Sequence, residues 1–398
     1  MRIVHFSCHV KGGAGLAAMR LHKTMLFNNV NSVFYNKYYT DSKVNCFKVE
    51  PITPIDNSIS IAKFISNKYN GFLNRIYNFY RFYVHSSMCA PYRLDTLLLK
   101  DDIVIIHWVS GFLDFKSFFK GLRKEQKVYF YIHDFYIISG RLHTLYDKER
   151  IKNNVINLFE NQIYKTKIGY IKSLKNYKII ANSKFTYNVI KETRSFPLEK
   201  LETIYLGLPK SELTPINKIN AKQELGYNKN DFLILISAND VDVPLKGIDR
   251  FLNILEYFQG HEKVKFITLG KVKMEFLKSR IHNFVTWDVF EKSKIFSSAD
   301  VLLSTSYEET FGQTIIEAFA CETPTIVYNG HSALSEIVAH NKTGFIANNT
   351  REVCYYIEQL IELPDLKEKL GSVAKETYLN KFTSENQFQL FMKIIENK

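Results

Sequence analysis

The chain has 398 residues, 46% hydrophobic and 23% charged, with 17 Gly and 9 Pro. This excludes a fibrous, linker-rich or disordered protein and leaves room for two or three domains of about 150 residues each. The net charge of +13 is unevenly held: residues 1–200 carry 31 basic against 14 acidic side chains (+17), and residues 201–398 carry 22 against 26 (−4), so one half is suited to face something anionic, whether nucleic acid, a phospholipid surface or a phosphorylated substrate.

The start, MRIVHFSCHVKGGAG, has an apolar run of only about six residues before Lys11, shorter than the ~7 to 15 of a secretory h-region, and reads as a strand over 3–8 followed by a helix over 16–28. Further short β-rich runs lie at 103–107, 128–133, 178–181 and 201–205, with helical patterns between them. Strands so spaced indicate parallel βαβ units. Residues 206–217, LGLPKSELTPIN, carry Gly207, Pro209 and Pro215 where the local charge changes sign, and read as a linker.

The second half repeats the style, with strands at 232–237, 264–269, 301–304 and 325–328 and helices at 248–258 and 314–320, a second parallel sheet. The expected domains are therefore 1–207, 218–375 and a helical tail, 376–398, that packs back on the first. No stretch approaches the ~18 to 20 apolar residues of a membrane-spanning helix, so any membrane contact is expected to be peripheral. Cys8, Cys46, Cys89, Cys321 and Cys354 are odd in number, scattered and never in a CxxC pair, which fits a reducing cytosol better than a disulfide framework or zinc ribbon.

The turn Lys11-Gly12-Gly13-Ala14-Gly15 joins strand to helix and has two readings: a cradle whose amides approach a phosphate, or a tight turn with close helix packing. It matches neither a P-loop nor GxGxxG. More specific is the stretch 304–320, where a buried strand runs into a polar loop and then a helix. Glu309 stands in the loop, at the usual ligand position of an open α/β sheet, and Glu317 about one turn into the helix. Amides of Gly312, Gln313 and Thr314 at the helix start suit an anion between two carboxylates that accept sugar hydroxyls, a pattern fitting a sugar nucleotide.

With these residues in view, the sequence resembles the retaining glycosyltransferases of family four. The signature is E-x7-E, Glu309 to Glu317 within EETFGQTIIEA, followed by CETPTIVYNGHSALSEIVAHNKTGFIA; the N-terminal GGAGLAAMRLH and the strand ends IIHW and YIHD also match. The resemblance implies the α/β GT-B fold, two Rossmann-like domains facing each other across a donor-binding cleft. It further implies transfer of a sugar from a UDP- or GDP-sugar, with retention, to a glycan or polyprenyl-diphosphate-linked acceptor in the making of lipopolysaccharide, capsule or exopolysaccharide.

Position by position, it implies that Glu309 contacts the transferred sugar, Glu317 the nucleotide ribose, and Lys246 of the Lys246-Gly247 pair the donor diphosphate, where a fixed ammonium stabilises the charge of the leaving group. Gly13 and Gly15 would let the first domain approach the donor. The family usually has an Arg a few residues before that Lys; Ala238-Asn239-Asp240 occupies the neighbourhood here. His133, at the end of its strand, matches a family His beside the reacting sugar, with His107 as the rival. Arg141 and His143 are acceptor-side candidates, and Trp287 is a candidate to stack on the base. The family is metal-independent, and neither His5 with His9 nor His107 with His133 has a third ligand in sequence, so no metal or other cofactor is expected.

The aromatic and basic stretch 72–84 and the basic runs 116–127 and 165–178 suit either a solvated face over an aromatic core or the headgroup region of an anionic membrane. A cytoplasmic protein, peripheral at the inner face of the cytoplasmic membrane, is the expectation. No nucleic-acid module is recognisable. A sugar-nucleotide epimerase and a degenerate, membrane-associated transferase are the alternatives.

Overall fold

The structure is a computed structural model describing residues 2–50, 93–123, 125–151 and 154–396. The stretch 72–84 and Cys89 lie outside the described residues. The chain divides into two units, Met1–Ile204 and Tyr205–Lys398.

Among the described residues the first unit holds seven parallel strands: β1 (Ile3–Phe6), β2 (Ser32–Asn36), β3 (Cys46–Lys48), β4 (Ile103–Ile106), β5 (Lys127–Ile132), β6 (Tyr177–Ala181) and β7 (Leu201–Thr203), in the order β3-β2-β1-β4-β5-β6-β7. Runs such as IVHF and IVII are buried from end to end, the unbroken apolarity of strands covered on both faces. β1 pairs with β2 on one side and β4 on the other, so successive connections leave it in opposite directions. The first helix, Gly12–Phe27, begins four residues before the expected start. A Cβ on Gly15 would stand 2.5 Å from the His9 carbonyl oxygen, so the close-packing reading of this turn has a direct cause.

The second unit holds β8 (Phe232–Asp240), β9 (Val264–Lys271), β10 (His282–Phe284), β11 (Val301–Ser304), β12 (Thr325–Tyr328) and β13 (Gly344–Ala347), all parallel, ordered β10-β9-β8-β11-β12-β13. β8 runs three residues further than its apolar pattern, through a register shift between Ser237 and Asp240. Gly270, at φ +137, allows this: a Cβ there would lie 1.7 Å from the Ala238 carbonyl oxygen.

The tail forms two helices, Pro364–Lys381 and Ser384–Glu396. Within the second unit, Leu208 N–H donates to Phe382 O at 2.9 Å and Ser384 N–H to Leu208 O at 3.1 Å. Gly207 N–H donates to Gln387 Oε1 at 3.0 Å. Residues 206–208 are thus held against the C-terminal helices of their own unit. Cys8, Cys46, Cys321 and Cys354 are free and buried. Among the described residues no helix is long and apolar enough to cross a membrane.

Candidate active site

In an open sheet, ligands gather at the carboxyl ends of strands where the winding reverses. In the second unit that point lies between β8 and β11, adjacent and parallel. After β8 a short turn, Pro244–Lys246, ends on Gly247 at φ +69. A Cβ on Gly247 would lie 2.0 Å from Thr305 O, so only glycine lets this turn meet the end of β11. The contact is laced by Thr305 Oγ1 donating to Lys246 O at 2.7 Å and Tyr307 N–H donating to Leu245 O at 3.0 Å.

This lacing brings Lys246 to Glu309. Lys246 Nζ donates to Glu309 Oε1, and Ser306 Oγ donates to the same oxygen at 3.0 Å. From behind, Glu309 N–H donates to Ser332 Oγ at 3.1 Å and Ala333 N–H to Glu309 O at 2.9 Å. Both charged side chains keep 25% of their surface exposed, enough for an incoming anion to compete for the ammonium.

The following helix, Gln313–Ala320, starts from Gly312 at φ +105, a residue with no side chain of its own to cap it. A helix start of this kind offers its amides to an anion. Gln313 and Thr314 are half-buried there. Glu317 turns inward, 5% exposed, and accepts from Lys292 Nζ at 2.9 Å. Each carboxylate of the E-x7-E pair therefore has its own lysine. Lys292 was not foreseen: it stands 25 residues away on the helix Val289–Ser298, and only tertiary packing reveals the pair.

The missing Arg has no replacement in Arg250, one turn after Lys246. Its guanidinium lies 3.9 Å from the Tyr307 ring centroid and 4.1 Å from that of Tyr328, and donates to Thr305 O at 3.2 Å. It braces the loop after β11. Trp287 is 52% exposed, beside exposed Val285 and Phe290.

In the first unit three strand-end histidines meet. His5 of β1 and His107, one residue past β4, place Nδ1 and Nε2 2.9 Å apart. His107 Nδ1 and His133 Nε2, one residue past β5, are also 2.9 Å apart. Burial drives His5 and His107 well below the usual imidazole pKa, with neighbouring histidines adding to the effect. Burial lowers His133 to about 4 although the Asp134 carboxylate opposes the shift. All three rings are neutral at pH 7. His107 and His133, rivals for one role on sequence alone, are hydrogen-bonded neighbours.

Arg141 and His143 are each 2% exposed and belong to the interior of the loop after β5. Asp134 accepts from His143 Nδ1 at 2.6 Å and from Trp108 Nε1–H at 2.7 Å. Burial pushes Asp134 up, but these donors and the charge of His143 outweigh it and leave the carboxyl below its usual value. Arg141 N–H donates to Glu160 Oε2 at 2.7 Å. Lys167, also unforeseen, donates to Tyr136 O at 2.7 Å and Gly140 O at 2.6 Å from beneath the same loop. Gly13 is exposed in the first turn of its helix. Among the described residues no cluster of three His, Cys, Asp or Glu is placed to hold a metal ion.

With this geometry in hand, residues 217–377 match the family described as glycosyl transferases group 1. The chain is similar to an uncharacterized glycosyltransferase of Methanocaldococcus jannaschii, 23% identical over 235 residues, 54% of this chain and 59% of that protein. It is also similar to the capsular polysaccharide biosynthesis glycosyltransferase CapM of Staphylococcus aureus, 26% identical over 201 residues, 45% of this chain and 52% of that protein. The chain spans about half the length of the curated relatives it matches. Two solved structures align over the whole of both chains: Anabaena HepE in complex with UDP and glucose, TM-score 0.70 at 15% identity, and WaaG, a glycosyltransferase involved in lipopolysaccharide biosynthesis, TM-score 0.66 at 13% identity. The fold is GT-B, as the resemblance implied.

Proposed function

We infer, from a second unit that belongs to the glycosyl transferases group 1, that this chain moves a sugar from a UDP- or GDP-sugar to a hydroxyl of a glycan or lipid-linked saccharide, with retention and without a metal. The product belongs to surface polysaccharide or glycolipid synthesis, in keeping with the role of CapM in capsular polysaccharide biosynthesis. The observation that carries this reading is the doubled pair at the β8 and β11 ends, Lys246 with Glu309 and Lys292 with Glu317.

The anomeric carbon exchanges its bond to the diphosphate oxygen for a bond to the acceptor oxygen, and the departing diphosphate takes the acceptor proton. Such a path needs diphosphate binding and positioning more than a dedicated base. Lys246 leaves Glu309 for the diphosphate, joined by the amides of Gly312, Gln313 and Thr314. Glu309, released, accepts from hydroxyls of the sugar, and Glu317, fixed by Lys292, accepts from the ribose. His133 contacts the transferred sugar. The basic surplus of residues 1–200 favours an acceptor carrying phosphate, or an anionic membrane that presents it.

The test is a thermal-shift series with UDP, GDP, ADP and CMP, then their sugar conjugates, on wild type and Lys246→Ala. A filled site at ~100 times its dissociation constant stabilises by about 2.7 kcal/mol. A selective response in wild type that Lys246→Ala loses supports the reading; a chain indifferent to all four nucleotides and their sugars overturns it. Product analysis with a lipid-linked acceptor then separates transfer from interconversion of the free sugar nucleotide.

A further inference from the structure

The loop that carries Glu309 is backed by a helix too short to hold itself. Leu334–Ile337 is a single turn, and a first turn fixes several dihedrals for one hydrogen bond, so it must be fastened from outside. Its start meets both ends of the loop. At one end Ala333 N–H and Ser332 Oγ donate to Glu309 O at 2.9 and 3.3 Å. At the other, a Cβ on Gly312 would stand 2.8 Å from Leu334 Cδ2. Where this turn sits therefore sets where Glu309 sits.

Tyr205, the first residue of the second unit, reaches the turn and the loop together. Its hydroxyl donates to Glu336 Oε1, inside the turn, at 2.5 Å. Its ring centroid lies 6.2 Å from that of Phe311, two residues past Glu309. Phe382, which follows the helix Pro364–Lys381, completes a three-ring cluster, edge-on to Tyr205 at 5.6 Å and to Phe311 at 6.0 Å, separations that aromatic pairs favour. Burial, then the bond to Glu336 and its charge, push the Tyr205 phenol well above its ordinary pKa, so it stays a donor at any working pH.

We propose that Tyr205 and Glu336 are positioning residues for the sugar of the donor: their hydrogen bond fastens the turn Leu334–Ile337, which through Ser332 and Ala333 holds Glu309 where it accepts sugar hydroxyls. Lys246, on the turn after β8, and Glu317, fixed by Lys292, are held by other contacts. The clamp therefore acts on the sugar and leaves the nucleotide alone. Its role toward the sugar rests on the transferase reading, while the clamp stands on the hydrogen bonds and ring contacts.

The experiment compares, in the full chain, Tyr205→Phe, which loses the hydroxyl and keeps the ring, with Glu336→Leu, Glu336→Gln and the double variant Tyr205→Phe with Glu336→Leu. The first readout needs no ligand: hydrogen exchange of the Ala333 amide is expected to quicken by up to about tenfold in Tyr205→Phe and Glu336→Leu, the worth of one hydrogen bond. Glu336→Gln, whose side-chain oxygen still accepts from the phenol, should stay near wild type. The second readout is the affinity for UDP-glucose relative to UDP, and for GDP-mannose relative to GDP. For the pair that wild type binds, this ratio and kcat/KM for sugar transfer should fall by up to about tenfold in Tyr205→Phe, with affinity for the bare nucleotide unchanged. The double variant should lose no more than either single one, since all three remove the same bond. Unchanged exchange at Ala333 in Tyr205→Phe, or additive losses in the double variant, overturns the proposal. A lower thermal midpoint with the affinity ratio intact makes the bond merely structural and overturns it as well. A wild type that binds no sugar nucleotide, beside variants with the expected exchange pattern, sinks the transferase reading and leaves the clamp standing.

Discussion

Lys292 Nζ stands 2.9 Å from Glu317 Oε1, with side-chain exposures of 10% and 6%. A pair this enclosed is asymmetric in its energetics: removing one member leaves the other charged and buried, at a cost of about 3–5 kcal/mol, whereas replacing both by apolar groups can be nearly neutral. Lys292→Met is therefore expected to lower the thermal midpoint sharply, and the double variant Lys292→Met with Glu317→Leu to recover most of the loss while remaining blind to nucleotide. Midpoints with and without the responsive nucleotide check both halves. A double variant that still binds nucleotide would remove Glu317 from the ribose.

Glu309 should behave in the opposite way. Its pair with Lys246 is partly exposed, the kind of ion pair that contributes about 0–1 kcal/mol. Glu309→Ala is expected to change stability by less than about 1 kcal/mol while abolishing sugar transfer. Because the substitution also frees Lys246, affinity for the bare diphosphate nucleotide should be kept or improved. A midpoint drop of several degrees would instead make Glu309 a brace for the loop, which its backbone bonds to Ser332 and Ala333 already secure.

Glycines at positive φ separate strain from collision. Gly12, at φ +75, has open space where a Cβ would go, and Gly247, at φ +69, has Thr305 O at 2.0 Å. Gly12→Ala should cost about 1–2 kcal/mol from backbone strain alone. Gly247→Ala should cost more and displace Lys246, so its nucleotide response should vanish with its stability. Equal midpoints for the two variants would refute the close contact between the turn after β8 and the end of β11.

What could be read beforehand followed from local physics. Strands β11 and β12 were bounded to the residue because VLLS and TIVY are short buried runs flanked by polar loops. β2, β3 and β10 escaped notice: SVFYN follows directly on the first helix, and CFK and HNF are three residues long, too short for any periodicity to show. The E-x7-E pair was legible because loop and helix start are consecutive in sequence. Lys292 was not, because a contact between two helices depends on how they pack. His107 and His133 stand out in the sequence as strand-end histidines and His5 does not; joining the three needs the neighbour order β1-β4-β5, which spacing along the chain does not encode.

The buried imidazoles also give the fold a pH dependence whose sign is fixed. His22 is wholly enclosed, and burial lowers its pKa to about 4, with Val44 O opposing the shift and Lys23 adding to it. Unfolded, it titrates near 6.5. Between those values the unfolded chain binds the proton that the folded chain refuses, so stability is full above about pH 6.5 and is lost as pH falls toward 4, by about 3 kcal/mol for this one ring. Most of the upper window, from about 6.5 to 5, lies above the carboxylate range and so belongs to the histidines. Denaturation midpoints measured from pH 7 to 5 should decline steadily in wild type and less steeply in His22→Asn, whose amide keeps hydrogen-bonding capacity without titrating. A wild-type midpoint that is flat across this window would mean that His22 is protonated in the folded chain, contrary to its enclosure between Ser32 and Val44.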